Sequence, residues 1–173
     1  MKQRMVVQEL YDFIKKEDYY RIAVLAGIRR IGKTTALLQI HEMLSDSCYI
    51  DFSKDDADDK FRDFYENPCK ILLLDEITYK ANYVEIIRKI EAQSVELGYK
   101  VIITGSSTTH LMSLYGGPLG GGRSTLMRIS LISFIEYLYF TDRIETYETD
   151  YVPTEEDFIN YLKLSKTTPY NRP

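Results

Sequence analysis

Residues 27–34 read Gly-Ile-Arg-Arg-Ile-Gly-Lys-Thr, a glycine and four residues followed by glycine, lysine and threonine. This spacing suits a phosphate chain. Glycines let the backbone wrap with its amides pointing inward, making a concave anion site. A helix opening at the lysine adds unpaired N–H groups and the positive end of its dipole. In that arrangement Lys33 reaches the β- and γ-phosphates of a nucleotide, and the Thr34 hydroxyl ligates Mg2+. Gly27, Ile28, Arg29, Arg30, Ile31, Gly32, Lys33, Thr34 and Thr35 are the candidate nucleotide-binding residues. The plainer reading is a glycine turn that caps a helix.

Two further positions could complete such a site. Ile71-Leu-Leu-Leu-Asp75-Glu76 ends an apolar run in two acids. An aspartate at a buried strand tip can hold the Mg2+ shell. A glutamate beside it can orient and deprotonate a water. Apolar strands also end in acids that merely cap a loop. The pairing tilts toward hydrolysis, because a small-molecule kinase has a hydroxyl acceptor and needs no water-activating acid. Val101-Ile-Ile-Thr104-Gly-Ser106-Ser107 ends in small hydroxyls that can bond a γ-phosphate or the attacking water, or simply cap the next helix. Arginines stabilise the charge on a transferring phosphoryl group. Arg123 could do so for its own nucleotide or a neighbouring subunit's, or be a solvated loop arginine. Arg29 is read as a partner or structural residue, and Arg30 is left open.

Elements must bring these residues together. Val6, Leu10, Phe13 and Ile14 recur at helical spacing and predict an opening helix. Apolar runs predict strands at 21–25, 48–52, 71–74, 101–104 and 126–131. Helices are predicted from 34 to about 45 with Leu37, Leu38, Ile40, His41 and Leu44 inward, through Phe61 and Tyr65, over 82–97, around 110–115, from Ser133 to about Phe140, and over 154–164. Ser133 and Glu136 have the spacing of a capping box. Strands separated by helix-length segments imply βαβ units and a parallel sheet with right-handed crossovers. Ligands bind such sheets beyond the carboxyl ends of the strands, where Gly27, Asp75 and Thr104 fall. His41, His110, Cys48 and Cys69 read as packing or surface residues, the cysteines as small buried hydrophobes. Tyr137, Tyr139 and Phe140 are read as core or as a docking patch.

The strings GIRRIGKTT, ILLLDEI, IITGSS, GGR before a strand, and SLISFIEYL together resemble the AAA-type P-loop ATPases of archaea and bacteria. The resemblance runs from about residue 21 to 140 and is strongest to the subgroup with a G-x-R-R-x-G-K-T-T loop and an L-S-F-x-E segment. It implies an α/β ASCE-type core with strand order 5-1-4-3-2 and helices on both faces. It implies Lys33 and Thr34 as Walker A residues, Asp75 and Glu76 as Walker B, and Thr104 or Ser106 as the sensor. Arg123 falls where the family places an arginine between the fourth and fifth strands. The expected organisation is an N-terminal helix over 1–20, the ATPase core over 21–141, and a helical extension over 142–173 that begins a second domain.

Composition narrows the function further. A chain of 173 residues implies one domain or slightly more. Its 22 basic residues against 26 acidic ones give a net charge of −4, which lends no electrostatic support to nucleic-acid binding; that role rests on the resemblance alone. Two cysteines make no disulfide framework and suggest a reducing compartment. No apolar run approaches a membrane span, so a soluble cytoplasmic protein is expected, with no membrane partner. The guanine-reading pattern [NT]-K-x-D is met only by a near match at 53–56, on the wrong strand, which favours ATP. The leading expectation is ATP binding and Mg2+-dependent hydrolysis used as a switch or motor for a partner, with a homo-oligomer or another protein as the possible partner. The alternatives are a non-hydrolytic nucleotide-gated module and, behind it, a small-molecule kinase.

Overall fold

The computed structural model describes residues 2–17, 19–106, 111 and 124–167, with side chains through 164. The chain forms two compact units, residues 6–130 and residues 1–5 with 131–173.

The larger unit is built on five parallel strands: β1 (Ile22–Ala26), β2 (Ser47–Asp51), β3 (Ile71–Asp75), β4 (Lys100–Ile103) and β5 (Ser124–Arg128). Their order is β2-β3-β4-β1-β5, the expected 5-1-4-3-2 read from the other edge. β1, β3 and β4 are buried along their whole length because helices cover both faces. Alternation divides the core. Ile22, Val24, Leu72, Leu74, Val101 and Ile103 face one side, with Phe64, Ile87 and Ile90 from α3 (Ala57–Glu66) and α4 (Tyr83–Leu97). Ala23, Leu25, Leu73 and Ile102 face the other, with α1 (Met5–Lys15) and α2 (Lys33–Met43). Gly98 ends α4 in the left-handed region at φ 77°, as expected of a helix stop.

Three expectations need correcting. The fifth strand lies at Ser124–Arg128 rather than 126–131: Ser124 pairs with Ile22 and Arg128 with Ala26, so β1 sets its ends. On α2 the buried residues are Lys33, Ala36, Leu37, Gln39 and Ile40, and Leu38 is exposed, off the i, i+3, i+4, i+7 stripe of Lys33, Ala36, Leu37 and Ile40. Cys48 and Cys69 do sit in or against the core, but as a disulfide that ties β2 to the segment just before β3, with Cα atoms 6.0 Å apart. Their separation of 21 positions carried no sign of this until the strand neighbours were known. The helix expected around 110–115 lies outside the described residues, apart from the helical Leu111.

The smaller unit holds α5 (Phe134–Phe140) and α6 (Glu155–Thr167). Ser133 and Glu136 form the expected capping box. A second box, unread in the sequence, opens α6: Thr154 Oγ1 accepts from the Asp157 amide at 3.3 Å, and Asp157 Oδ2 accepts from the Thr154 amide at 2.8 Å. Tyr137 packs in an aromatic group with Phe134 and Tyr161, and Tyr139 lies against Tyr147.

Candidate functional site

The phosphate-type loop leaves β1 at Ala26 and enters α2 at Lys33. Two of its residues take left-handed backbone, Arg30 at φ 61° and Gly32 at φ 100°. Gly32 also caps α2, and its carbonyl accepts from the Ala36 amide at 3.0 Å. A glycine cap has no side chain to satisfy the leading amides of the helix, which favours an anion there. Gly27 is required for a different reason. A Cβ at this position would lie 2.6 Å from both Ile129 Cγ2 and the Ile129 carbonyl oxygen.

Lys33 is buried, and its ammonium donates to the carbonyls of Gly27 at 2.8 Å and Ile28 at 3.1 Å. Burial holds this ammonium below the ordinary lysine range. Glu76 and Asp75 push it back up, and Arg29 pushes it down with burial. A cavity of about 210 Å³ is lined by Arg30, Gly32, Lys33, Thr34, Thr35 and Glu76. Thr34 and Thr35 are exposed on the first turn of α2, and Ile28, Arg29 and Arg30 are exposed on the loop. Ile31 instead packs against the core.

The strand-end acids differ sharply. Asp75 is 1% exposed and closely bonded. Its Oδ1 accepts from the Thr104 hydroxyl and from the Glu76 amide at 3.1 Å, and its Oδ2 accepts from the Tyr49 hydroxyl at 3.0 Å. Glu76 takes left-handed backbone at φ 52°, a conformation a side chain disfavours, and its amide is shared with Thr104 Oγ1 at 3.2 Å. Among the described residues, its buried Oε2 has no hydrogen-bond partner. The loop, Glu76 and Asp75 are thus brought together. Of the two sensor candidates, Thr104 meets Asp75, whereas Ser106 lies 3.4 Å from the Thr78 hydroxyl. Arg123, Ser107 and the glycine-rich segment before Arg123 lie outside the described residues.

The chain matches the family described as AAA domain over residues 19–138. It belongs to this family. The fold of this AAA domain also matches a solved structure of a replication initiator. DnaA bound to AMPPCP and single-stranded DNA is 16% identical at a TM-score of 0.50, covering 94% of this chain and 60% of that one. AMPPCP-bound DnaA from Aquifex aeolicus is 17% identical at a TM-score of 0.49, with the same coverage. The AAA domain thus spans less than two thirds of these structures. No curated protein matches it. Among the described residues, no helix is long and apolar enough to cross a membrane.

Tyr49 is the residue that sequence reasoning passed over. It lies mid-strand on β2, in a segment read only as CYIDF. Burial first, then the Asp75 charge and hydrogen bond, hold its phenol far above the ordinary tyrosine range, so it stays a donor. The signal was available in the strand order: β2 neighbours β3, and Tyr49 stands two residues before the register partner of Asp75.

Proposed function

We propose that this AAA domain binds ATP with Mg2+ and hydrolyses it, using the cycle to switch a partner. One observation carries the reading: the 27–34 loop closes around Lys33 beside Glu76, an acid with an orphaned buried oxygen, on one cavity. A buried lysine under a polarised amide loop needs a polyanion, and a triphosphate tail supplies one. The related replication initiator is described with AMPPCP, which supports a nucleotide ligand. Single-stranded DNA, named for the same relative, is a candidate partner on resemblance alone.

The donor set fits Mg2+, since hydroxyl and carboxylate oxygens are the ligands it prefers. Thr34 and Asp75 would hold it, Asp75 through its shell. When bound, Mg2+ neutralises charge developing on the phosphates. Lys33 exchanges its carbonyl partners for phosphate oxygens. Loop amides and the first turn of α2 orient the tail. Glu76 takes a proton from the attacking water, and Thr104 keeps Asp75 and the Glu76 backbone in place. Arg123, or an arginine of another copy, is proposed to complete the charge compensation.

The test is a pair of substitutions. Lys33→Ala should abolish nucleotide binding. Glu76→Gln should bind nucleotide and lose phosphate release, by about 10²–10⁴-fold for a general base. Tight ATP binding by Lys33→Ala overturns the site. Phosphate release that survives Glu76→Gln overturns the role of Glu76. Binding with no turnover in the unaltered chain leaves a nucleotide-gated module instead.

A further inference from the structure

We infer that Tyr49 is a positioning residue of this site: its hydroxyl fixes the rotation of the Asp75 carboxylate and so sets the Mg2+ requirement for nucleotide binding. The inference rests on the nucleotide reading above and adds a residue that the motifs do not contain.

An ionised carboxylate has about four lone-pair positions. Thr104 and the Glu76 amide take the two on Oδ1. Tyr49 takes one on Oδ2, leaving a single position for an outside group. Without Tyr49 the carboxylate would be bonded at one oxygen only and free to rock about that attachment. Both donors come from ordered strands or strand ends, so the carboxylate is gripped from two sides. The Thr104 grip arrives from the end of β4 and the Tyr49 grip from β2.

Register explains why Tyr49 can reach. Asp51 pairs with Asp75, and Tyr49 pairs with Leu73. In a parallel pair, residues two apart share a face, so Tyr49 and Asp75 point to the same side one repeat apart. The phenol is itself fixed independently of Asp75. Its ring lies 6.0 Å from the His41 ring and packs against the core. His41 Nδ1 is in turn 2.7 Å from the Ser47 hydroxyl, which donates to the Leu44 carbonyl. A donor on a fixed ring holds its acceptor better than one on a free loop.

The alternative role is packing alone, which the ring would serve without its hydroxyl. Tyr49→Phe separates the two. The measurement is the Mg2+ midpoint for binding a fluorescent ATP analogue, with an excess of EDTA as the metal-free reference. We expect the midpoint to rise roughly 10–100-fold, the usual cost of losing a group that orients a metal-binding side chain. Affinity in EDTA should stay within about twofold, because the loop and Lys33 are untouched. In an Asp75→Asn background, Tyr49→Phe should add nothing further, since it acts through Asp75. Thr104→Val removes the opposite grip and should raise the midpoint as well, which keeps the test alive if Tyr49→Phe melts early.

An unchanged midpoint in Tyr49→Phe, or an equal rise on top of Asp75→Asn, overturns the inference. Unaltered protein that binds the analogue equally with and without Mg2+ also overturns it, while leaving the nucleotide reading standing. Unaltered protein that binds no nucleotide overturns both.

Discussion

At the scale of single residues, the site is a set of donors and acceptors whose partners are unevenly assigned. Asp75 is saturated on one oxygen, while Glu76 keeps an orphaned one. That contrast separates a carboxylate gripped by its neighbours from one with an oxygen still to offer, although the two are adjacent in the chain. Gly27 shows how narrow the tolerance is. Gly27→Ala would drive a methyl to 2.6 Å from the Ile129 carbonyl, and backbone cannot swing aside as a side chain can. The expected cost is about 1–3 kcal/mol, as for other overpacked sites, read as a fall in melting temperature together with weaker nucleotide binding. The glycines, Lys33, Asp75 and Glu76 were legible in the sequence because each sits within a contiguous string of fixed spacing. Tyr49 was not, because its partner lies 26 positions away and only strand pairing brings them together.

At the scale of elements, strands were easier to find than their ends. Buried runs such as Ile71–Asp75 announce themselves, whereas the edge strand β5 is only partly buried and takes its bounds from β1. Lys100 is the clearest case of an element held by a residue that composition would assign to the surface. It is 5% exposed on β4, and its ammonium donates to the Phe13 carbonyl at 2.6 Å and to the Lys16 carbonyl. These carbonyls belong to the end of α1, where a cation also meets the negative end of the helix dipole. The same ammonium lies 4.4 Å from the centre of the Phe13 ring. Lys100→Met should therefore cost about 1.5–3 kcal/mol, the range for hydrogen bonds to charged groups. Faster proteolysis within α1, ahead of the rest of the unit, is the sign to look for. Nothing in the spacing of α1 hinted at this, because the donor arrives from a strand far along the chain.

At the scale of the whole molecule, each unit holds a buried carboxylate gripped by bonded partners. In the smaller unit, Glu136 is nearly buried and accepts from Arg4 Nε at 2.7 Å, from the Met5 amide at 3.1 Å and from the Ser133 amide at 3.0 Å. Burial alone would raise its carboxyl, but Arg4 and these amides outweigh burial and hold it below the ordinary value of 4.5. A carboxylate lowered on folding contributes stability that is present above the unfolded value and lost as pH falls through the folded one. Melting should therefore decline below about pH 4.5 in the unaltered chain, and Glu136→Gln should flatten that decline. Equal slopes in the two proteins would remove Glu136 from the account. The strand order was legible through the family resemblance, and in the division into two units the first five residues join a segment that begins past 130. The cavity is lined by the loop after β1, the first turn of α2 and the residue after β3, so no short stretch of chain carries it. Occupancy and global unfolding are consequently linked by mass action: a hundredfold excess of ligand over its dissociation constant should add about 2.7 kcal/mol. Heat resistance thus becomes a direct gauge of which small molecule the protein prefers.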